Sequence, residues 1–235
     1  MFASSGVPHQ AFLQAAIVDL DGTMVDTLGD FAAALNRMLD ELQLPAIAPA
    51  AIKHMVGRGS EHLIRQVLAH VGAAPSLYES AWLSYQRHYA VVNGRYSTLY
   101  PDVIEGLGLL RDAGLKLACI TNKPTDFAQA LLYFKNLRGF FDVVFGGDAF
   151  ERKKPDPLPL RKACEALGSS PQRTLMIGDS VNDAVAARAA GCPVVLVTYG
   201  YNHGMPVRLV EADGFVDSLA DLPSWLKQAY PAVRP

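Results

Sequence analysis

Two carboxylates, Asp19 and Asp21, stand two residues apart in Asp19-Leu20-Asp21-Gly22-Thr23, directly after the apolar run Ala15-Ala16-Ile17-Val18. In an extended chain residues i and i+2 point to one face, so both acids can approach the same spot as the chain leaves a sheet. Like charges held that close repel unless a cation lies between them or one holds a proton. The first arrangement gives a carboxylate that can act as nucleophile, the second an acid that can donate a proton. Gly22 allows a turn without a Cβ penalty, and Thr23 adds a hydroxyl. The same five residues also fit an ordinary acidic turn, so the chemistry depends on what else converges on them.

The elements that would position these residues follow from the hydrophobic pattern. Short apolar runs predict strands at 16–20, 116–121, 142–145, 174–177, 193–197 and 214–216. Helical patterns fall between the later ones, at 125–135, 157–167, 182–190, 206–211 and 219–228, and Gly168 and Gly191 sit where helices should end. Wholly apolar strands separated by helices indicate an α/β fold, a doubly wound, Rossmann-like parallel sheet covered on both faces. Ligands bind at the carboxyl ends of such strands. Polar residues collect there: Asp19 after the first strand, Thr121-Asn122 after the second, Lys154 shortly after the third, and Gly178-Asp179-Ser180 with Asp183 after the fourth.

One stretch breaks the alternation. From about Asp26 to Tyr96 no strand is evident, and helices are expected at 29–42, 50–55, 61–71 and 77–90, with Gly57-Arg58-Gly59 as a tight loop. This predicts an inserted α-helical subdomain, residues 26–96, within a core of residues 1–25 and 97–235. Linkers would lie near 25–27 and 93–100.

In their order, the four stations resemble the motifs of the haloacid dehalogenase superfamily. Asp19-Leu20-Asp21-Gly22-Thr23 is similar to its first motif, Thr121 to the second, Lys154 to the third, and Gly178-Asp179-Ser180-Val181-Asn182-Asp183 to the fourth. The helical insertion resembles the small cap of that superfamily, and the likeness runs from about residue 14 to 228. Within it the chain looks most like the phosphoglycolate phosphatases, through Val56-Gly57-Arg58-Gly59, Thr121-Asn122-Lys123-Pro124, Phe145-Gly146-Gly147-Asp148, Lys154–Leu160 and Thr198–Gly204.

The resemblance implies a phosphatase that works through an aspartyl-phosphate, with 2-phosphoglycolate as substrate and Mg2+ as cofactor. Asp19 would attack phosphorus, and Asp21 would serve as acid for the leaving alcohol and then as base for water. Asp19, the Asp21 carbonyl and Asp179 would hold the metal, a hard cation that prefers oxygen. Asp183 would orient Lys154 or a metal-bound water, and Lys154 would pair with Asp19 and the phosphoryl group. Thr121 and the Asn122 amide could bind phosphate oxygens near a helix N-terminus opening at Pro124. Arg58, flanked by Gly57 and Gly59, could reach a substrate carboxylate, though an exposed loop arginine reads as well. Asp21 argues against dehalogenase and phosphonate-cleaving chemistry, whose members lack an acid there, and makes Lys53 a surface lysine. Tyr201, Asn202 and His203 could line the entrance, with a surface histidine the better reading for His203. Trp82, Tyr85, His88 and Tyr89 read as core or interface of the insertion. The alternatives are a phosphatase for a sugar phosphate, nucleotide or pyrophosphate, mutase chemistry on a hexose phosphate, or a silent binding protein on the same fold.

Composition sets bounds. The chain has 235 residues, 19% charged and a formal net charge of −2, which speaks against disorder and gives no basic excess for nucleic acid. Cys119, Cys164 and Cys192 are far apart and lack zinc spacing, which fits buried thiols in a reducing compartment. No early Lys or Arg, signal-like core or membrane-length run is evident, so a cytoplasmic protein, monomer or homodimer, is expected.

Overall fold

A computed structural model describes residues 13–230; the N-terminal residues read above for a signal-like core lie outside that range. Six parallel strands form one sheet in the order β5-β4-β1-β6-β7-β8. They are β1 (Ala15–Val18), β4 (Lys116–Ile120), β5 (Val143–Phe145), β6 (Thr174–Gly178), β7 (Val194–Val197) and β8 (Gly214–Val216). The chain runs outward from β1 through β4 to β5, then returns to the other side of β1 for β6, β7 and β8. β1 is therefore the switch point, where a crevice opens at the strand ends.

Alternation within β1 explains why it is wholly apolar. Ala16 and Val18 face one core with Leu117, Cys119 and Leu175, while Ala15 and Ile17 face a second with Ala118, Ile120 and Met176. Both faces are covered, so neither tolerates a polar side chain. Register then fixes which ends meet. Val18 is level with Cys119 of β4 and with Ile177 of β6, and the Asp19 N–H continues the ladder to the Ile177 carbonyl at 2.9 Å. Asp19, Thr121 and Asp179 thus leave the sheet at one edge.

Four helices, α1 (Leu28–Glu41), α2 (Pro49–Lys53), α3 (Ser60–His70) and α4 (Tyr78–Val92), pack around a separate apolar core. Phe31, Ala34, Leu35, Met38 and Leu39 form the inward stripe of α1. Tyr85 and Tyr89 of α4 are buried in this core and stack on one another. The two crossings to the sheet are tied together. Short strands β2 (Val25–Asp26) and β3 (Thr98–Leu99) pair antiparallel. The buried Asp30 carboxylate accepts the N–H groups of Gly94 and Tyr96 at 2.7 Å each. Neither short strand is evident from the sequence, because two residues carry no period.

Two further elements differ from expectation. The helix predicted at 206–211 is a single 3-10 turn, Val207–Leu209. Pro206 and Val210 flank it in extended conformations; only Val207 and Val210 pack on the core while Leu209 is 81% exposed, so the segment lacks the continuous apolar stripe of a longer helix. Conversely α5 (Val103–Asp112) was not expected, since Gly106 and Gly108 weaken the helical signal. Packing explains Gly106: a Cβ there would lie 2.5 Å from Leu219. The remaining helices are α6 (Thr125–Phe134), α7 (Leu158–Leu167), α8 (Val181–Ala190) and α9 (Leu222–Ala229). α7 and α8 end on Gly168 and Gly191 in left-handed conformations, as their positions suggested. None of the described helices is long and apolar enough to cross a membrane. All three cysteines are buried free thiols.

Candidate active site

The edge after β1 gathers three carboxylates and a lysine. Asp19, Asp179 and Asp183 are buried, and each offers an oxygen within 4.8 Å of the others. Lys154, carried by the loop between β5 and α7, points its Nζ among them. It donates to the Ile120 carbonyl and to Asp183 Oδ1, both at 2.7 Å. Its Nζ also lies 2.8 Å from Asp19 Oδ1 as an ion pair, out of hydrogen-bonding alignment, and that oxygen is otherwise unpartnered. Asp183 has two tasks. Its Oδ2 caps α8 by accepting the Ser180 N–H at 3.2 Å, and also accepts from the Ser180 hydroxyl at 2.8 Å, while Oδ1 holds Lys154.

Three buried acids against one lysine are electrostatically unbalanced. Desolvation pushes Asp19 up to about 7; Lys154 opposes the shift and Asp183 adds to it. Desolvation, then Asp183 and Asp19, raise Asp179 well above the carboxylate range. The lysine is driven upward by the same two neighbours, Asp183 and Asp19, which outweigh its own desolvation. A hard divalent cation fits this donor set, because it would neutralise the excess charge through oxygen ligands. The turn after Asp19 leaves the Asp21 carbonyl clear: the N–H groups of Gly22 to Val25 go to Val25 and Leu20. Gly22 is required here. Its φ is +87°, and a Cβ would fall 2.0 Å from Asp179 Oδ2.

A cavity lies over this edge, with Asp19, Asp21 and Lys123 on the sheet side and Phe31, Gly57 and Tyr89 on the helical side. Thr121 is buried at its margin, and its Oγ1 accepts the Lys123 N–H at 3.2 Å. The N-terminus of α6 is already served by Asp148, which accepts the Thr125 N–H at 2.8 Å, so fewer free donors face the cavity than the Pro124 opening suggested. Asn122 is committed too. Its amide donates to the carbonyls of Gly57 at 3.0 Å and Lys154 at 2.8 Å, which leaves no amide hydrogen for a phosphate oxygen. Asn182 donates to the same Gly57 carbonyl at 3.1 Å. One backbone oxygen of the helical loop is thereby held by two strand-end amides.

Arg58 is not part of this centre. It is exposed, does not line the cavity, and acts on its neighbours through charge, adding to the desolvation that lowers His62 and His203. His203 is half-buried rather than a surface residue, with Nε2 3.2 Å from the Asn182 amide and its ring against Gly57. Tyr201 does not line an entrance. It is buried in the helical core, where its hydroxyl accepts from the N–H groups of Thr27 and Leu28 at 2.9 and 3.2 Å and donates to Asp26. Sequence reasoning gave Lys123 no role, although it stands two residues after Thr121. It is buried, and its Nζ lies 3.0 and 3.3 Å from the Asp21 oxygens.

The arrangement places the Asp19 carboxylate beside a group of residues able to hold a cation, with the Asp21 carboxylate two residues further on. Residues 16–197 match the sequence profile of the haloacid dehalogenase-like hydrolases. The chain belongs to that family. A protein of Thiobacillus denitrificans named phosphoglycolate phosphatase is 42% identical over 89% of this chain and 93% of its own. One of that name from Cupriavidus necator is 44% identical over 92% of this chain and 94% of its own. A crystal structure from Haemophilus somnus, described as a predicted phosphoglycolate phosphatase, superposes with a TM-score of 0.87 at 31% identity, covering 91% of this chain and 97% of that one. As a haloacid dehalogenase-like hydrolase with such relatives, the chain is an enzyme of the phosphatase type.

Proposed function

We propose that this hydrolase cleaves 2-phosphoglycolate to glycolate and phosphate, with residues 26–96 acting as a cap over the catalytic core formed by residues 1–25 and 97–235. The observation that carries the reading is the meeting of Asp19, Lys154 and Asp179 at one sheet edge, with Asp21 beside them. The choice of phosphoglycolate rests on the names borne by relatives that cover nearly the whole chain.

In this reading an Asp19 oxygen attacks phosphorus in line with the ester oxygen. The P–O bond to the leaving group breaks, and Asp21 gives that oxygen its proton. The aspartyl-phosphate so formed is attacked at phosphorus by water, whose proton goes to Asp21, and phosphate departs as Asp19 is regenerated. Thr121 is suited to hold a phosphoryl oxygen, because its Oγ1 accepts from Lys123 N–H and its own hydrogen stays free to donate. Lys154 keeps positive charge against the nucleophile and the incoming phosphoryl group, and Asp183 fixes it in place. Mg2+ held by Asp19, Asp179 and the Asp21 carbonyl would neutralise the phosphoryl oxygens as they approach a carboxylate.

A generic aryl phosphate with Mg2+ tests the reaction class: turnover is expected, and metal binding without turnover would support a silent protein. A panel of small phosphates then tests the substrate. Phosphoglycolate should rank first by kcat/KM; a sugar phosphate, nucleotide or pyrophosphate turned over better would end the assignment.

A further inference from the structure

A substrate with a carboxylate needs a second cation besides those that serve its phosphate. We propose that Lys123, rather than Arg58, is the specificity-determining cation that receives this carboxylate. The inference rests on the phosphoglycolate reading above and deepens it.

The position is defined by burial and by neighbours from both sides of the cavity. The Lys123 side chain is 2% exposed. Besides the Asp21 contacts, its Nζ donates to the Tyr89 hydroxyl at 2.5 Å and faces the rings of Phe31 and Tyr89 at 4.9 and 4.8 Å. A core lysine is thus surrounded by groups of the helical insertion. Such an ammonium, shielded from water, attracts an anion far more strongly than one on the surface.

The substrate's own dimensions select the place. In phosphoglycolate one CH2 separates the leaving oxygen from the carboxyl carbon, so the carboxylate oxygens lie within about 3–4 Å of the leaving oxygen. The cation that binds them must therefore adjoin the acid that protonates that oxygen. Lys123 Nζ stands 3.0 Å from Asp21 Oδ1. Its contact with Asp21 Oδ2, at 3.3 Å, is long for a charge-assisted bond and is the one an incoming carboxylate can replace.

The other cations are badly placed. Among the described residues lining the cavity the basic ones are Lys123 and Lys154. Lys154 already faces Ile120, Asp183 and Asp19 at the phosphoryl end. Arg58 is exposed and off the lining. The rings of Phe31 and Tyr89 close the far side, so the subsite admits a small acid and resists a bulky one.

The test compares 2-phosphoglycolate with ethyl phosphate, which keeps the CH2–O leaving group and lacks the carboxylate. kcat/KM for both is measured in the wild type and in Lys123→Met, Lys123→Arg and Arg58→Ala. Lys123→Met should lose roughly 100-fold more on phosphoglycolate than on ethyl phosphate. Lys123→Arg should keep much of the preference, and Arg58→Ala should keep it all. Calorimetry with 3-phosphonopropionate against propylphosphonate gives a binding readout that needs no turnover, and the wild-type preference for the acid should vanish in Lys123→Met. Equal losses on both esters would reduce Lys123 to a positioning residue for Asp21 and overturn the inference alone. Loss of the preference in Arg58→Ala would also overturn it, in favour of the arginine. If the wild type shows no preference for the acid, the phosphoglycolate reading falls and takes the inference with it. Should Lys123→Met not fold, Lys123→Gln takes its place: a preference abolished by Lys123→Gln and kept by Arg58→Ala supports Lys123, and the reverse pattern overturns it.

Discussion

The two sides of the cavity are built on opposite principles. Its floor is the end of a parallel sheet, where ladder register fixes Asp19 and Asp179 and a capping box fixes Asp183. Its roof is the helical insertion, with an apolar core of its own, tied to the floor at the Gly57 carbonyl, at Tyr89 through Lys123, at Glu61 through Lys153, and through Tyr201 at the crossing. The floor is rich in charge; the roof is mostly apolar. Groups that must meet phosphorus within a fraction of an ångström belong on elements whose position the sheet fixes, and the helical side limits the size of what enters. Charge divides in the same way. The floor sets Asp19, Asp179 and Asp183 against Lys154 and is left negative, whereas Asp21 and Lys123 beneath the roof cancel.

If the floor carries the chemistry, its substitutions should cost the most. Asp19→Asn should lower kcat at least about a thousandfold, while phosphate-ester binding measured by calorimetry survives. Turnover within tenfold of wild type would mean that another group attacks, and the contrast between floor and roof would collapse.

Lys154→Met should come next, through both rate and stability. It leaves Asp183 and Asp19 buried without their cation, a loss of about 3–5 kcal/mol. Denaturant unfolding in Mg2+-free buffer measures it, and a change under 1 kcal/mol would show that the acids are stabilised by something other than the lysine.

The negative floor also predicts a dependence on metal and pH. Asp19 is pushed up to about 7 from an ordinary 3.8. The folded metal-free chain therefore holds a proton that the unfolded chain has released, and stability should fall as pH rises from about 4 to 7. Mg2+ binds the ionised form, so its stabilisation, RT ln(1 + [L]/Kd) at each pH, and with it the rise in Tm on adding the ion, should grow across the same interval. Asp179→Asn should shrink that rise. A metal response that is flat with pH, or unchanged in the variant, would place the cation elsewhere.

The smallest effect belongs to the roof. Asn182→Ala removes one of the two amides on the Gly57 carbonyl, a loss of about 1 kcal/mol in closure. KM should rise a few-fold with kcat little changed. A kcat loss as large as that of Lys154→Met would mean that the roof takes part in the chemistry, and the division drawn here would be false.

Much of this was legible in the sequence. Doubly apolar strands announced a covered parallel sheet, and the order of Asp19, Thr121, Lys154 and Asp179 at strand ends announced a common edge, because strand periodicity and sheet topology are properties of local pattern. The helical insertion was legible for the same reason, through the stripe of α1. Elements whose cause lies elsewhere in the chain were not. α5 keeps Gly106 because Leu219 presses on it, and β2 and β3 exist only as partners of each other. The long side chains were the least legible. Sequence reasoning offered Arg58 to the substrate and gave Lys123 no role, yet Arg58 is exposed and Lys123 is buried between Asp21 and Tyr89. A lysine's reach exceeds the spacing of neighbouring strands, so which acid it meets depends on the packing of segments about a hundred residues apart. The chain's local pattern determined where acids and cations would gather; only the tertiary structure decided which of them pair, because pairing and burial are set by distance through space and not along the chain.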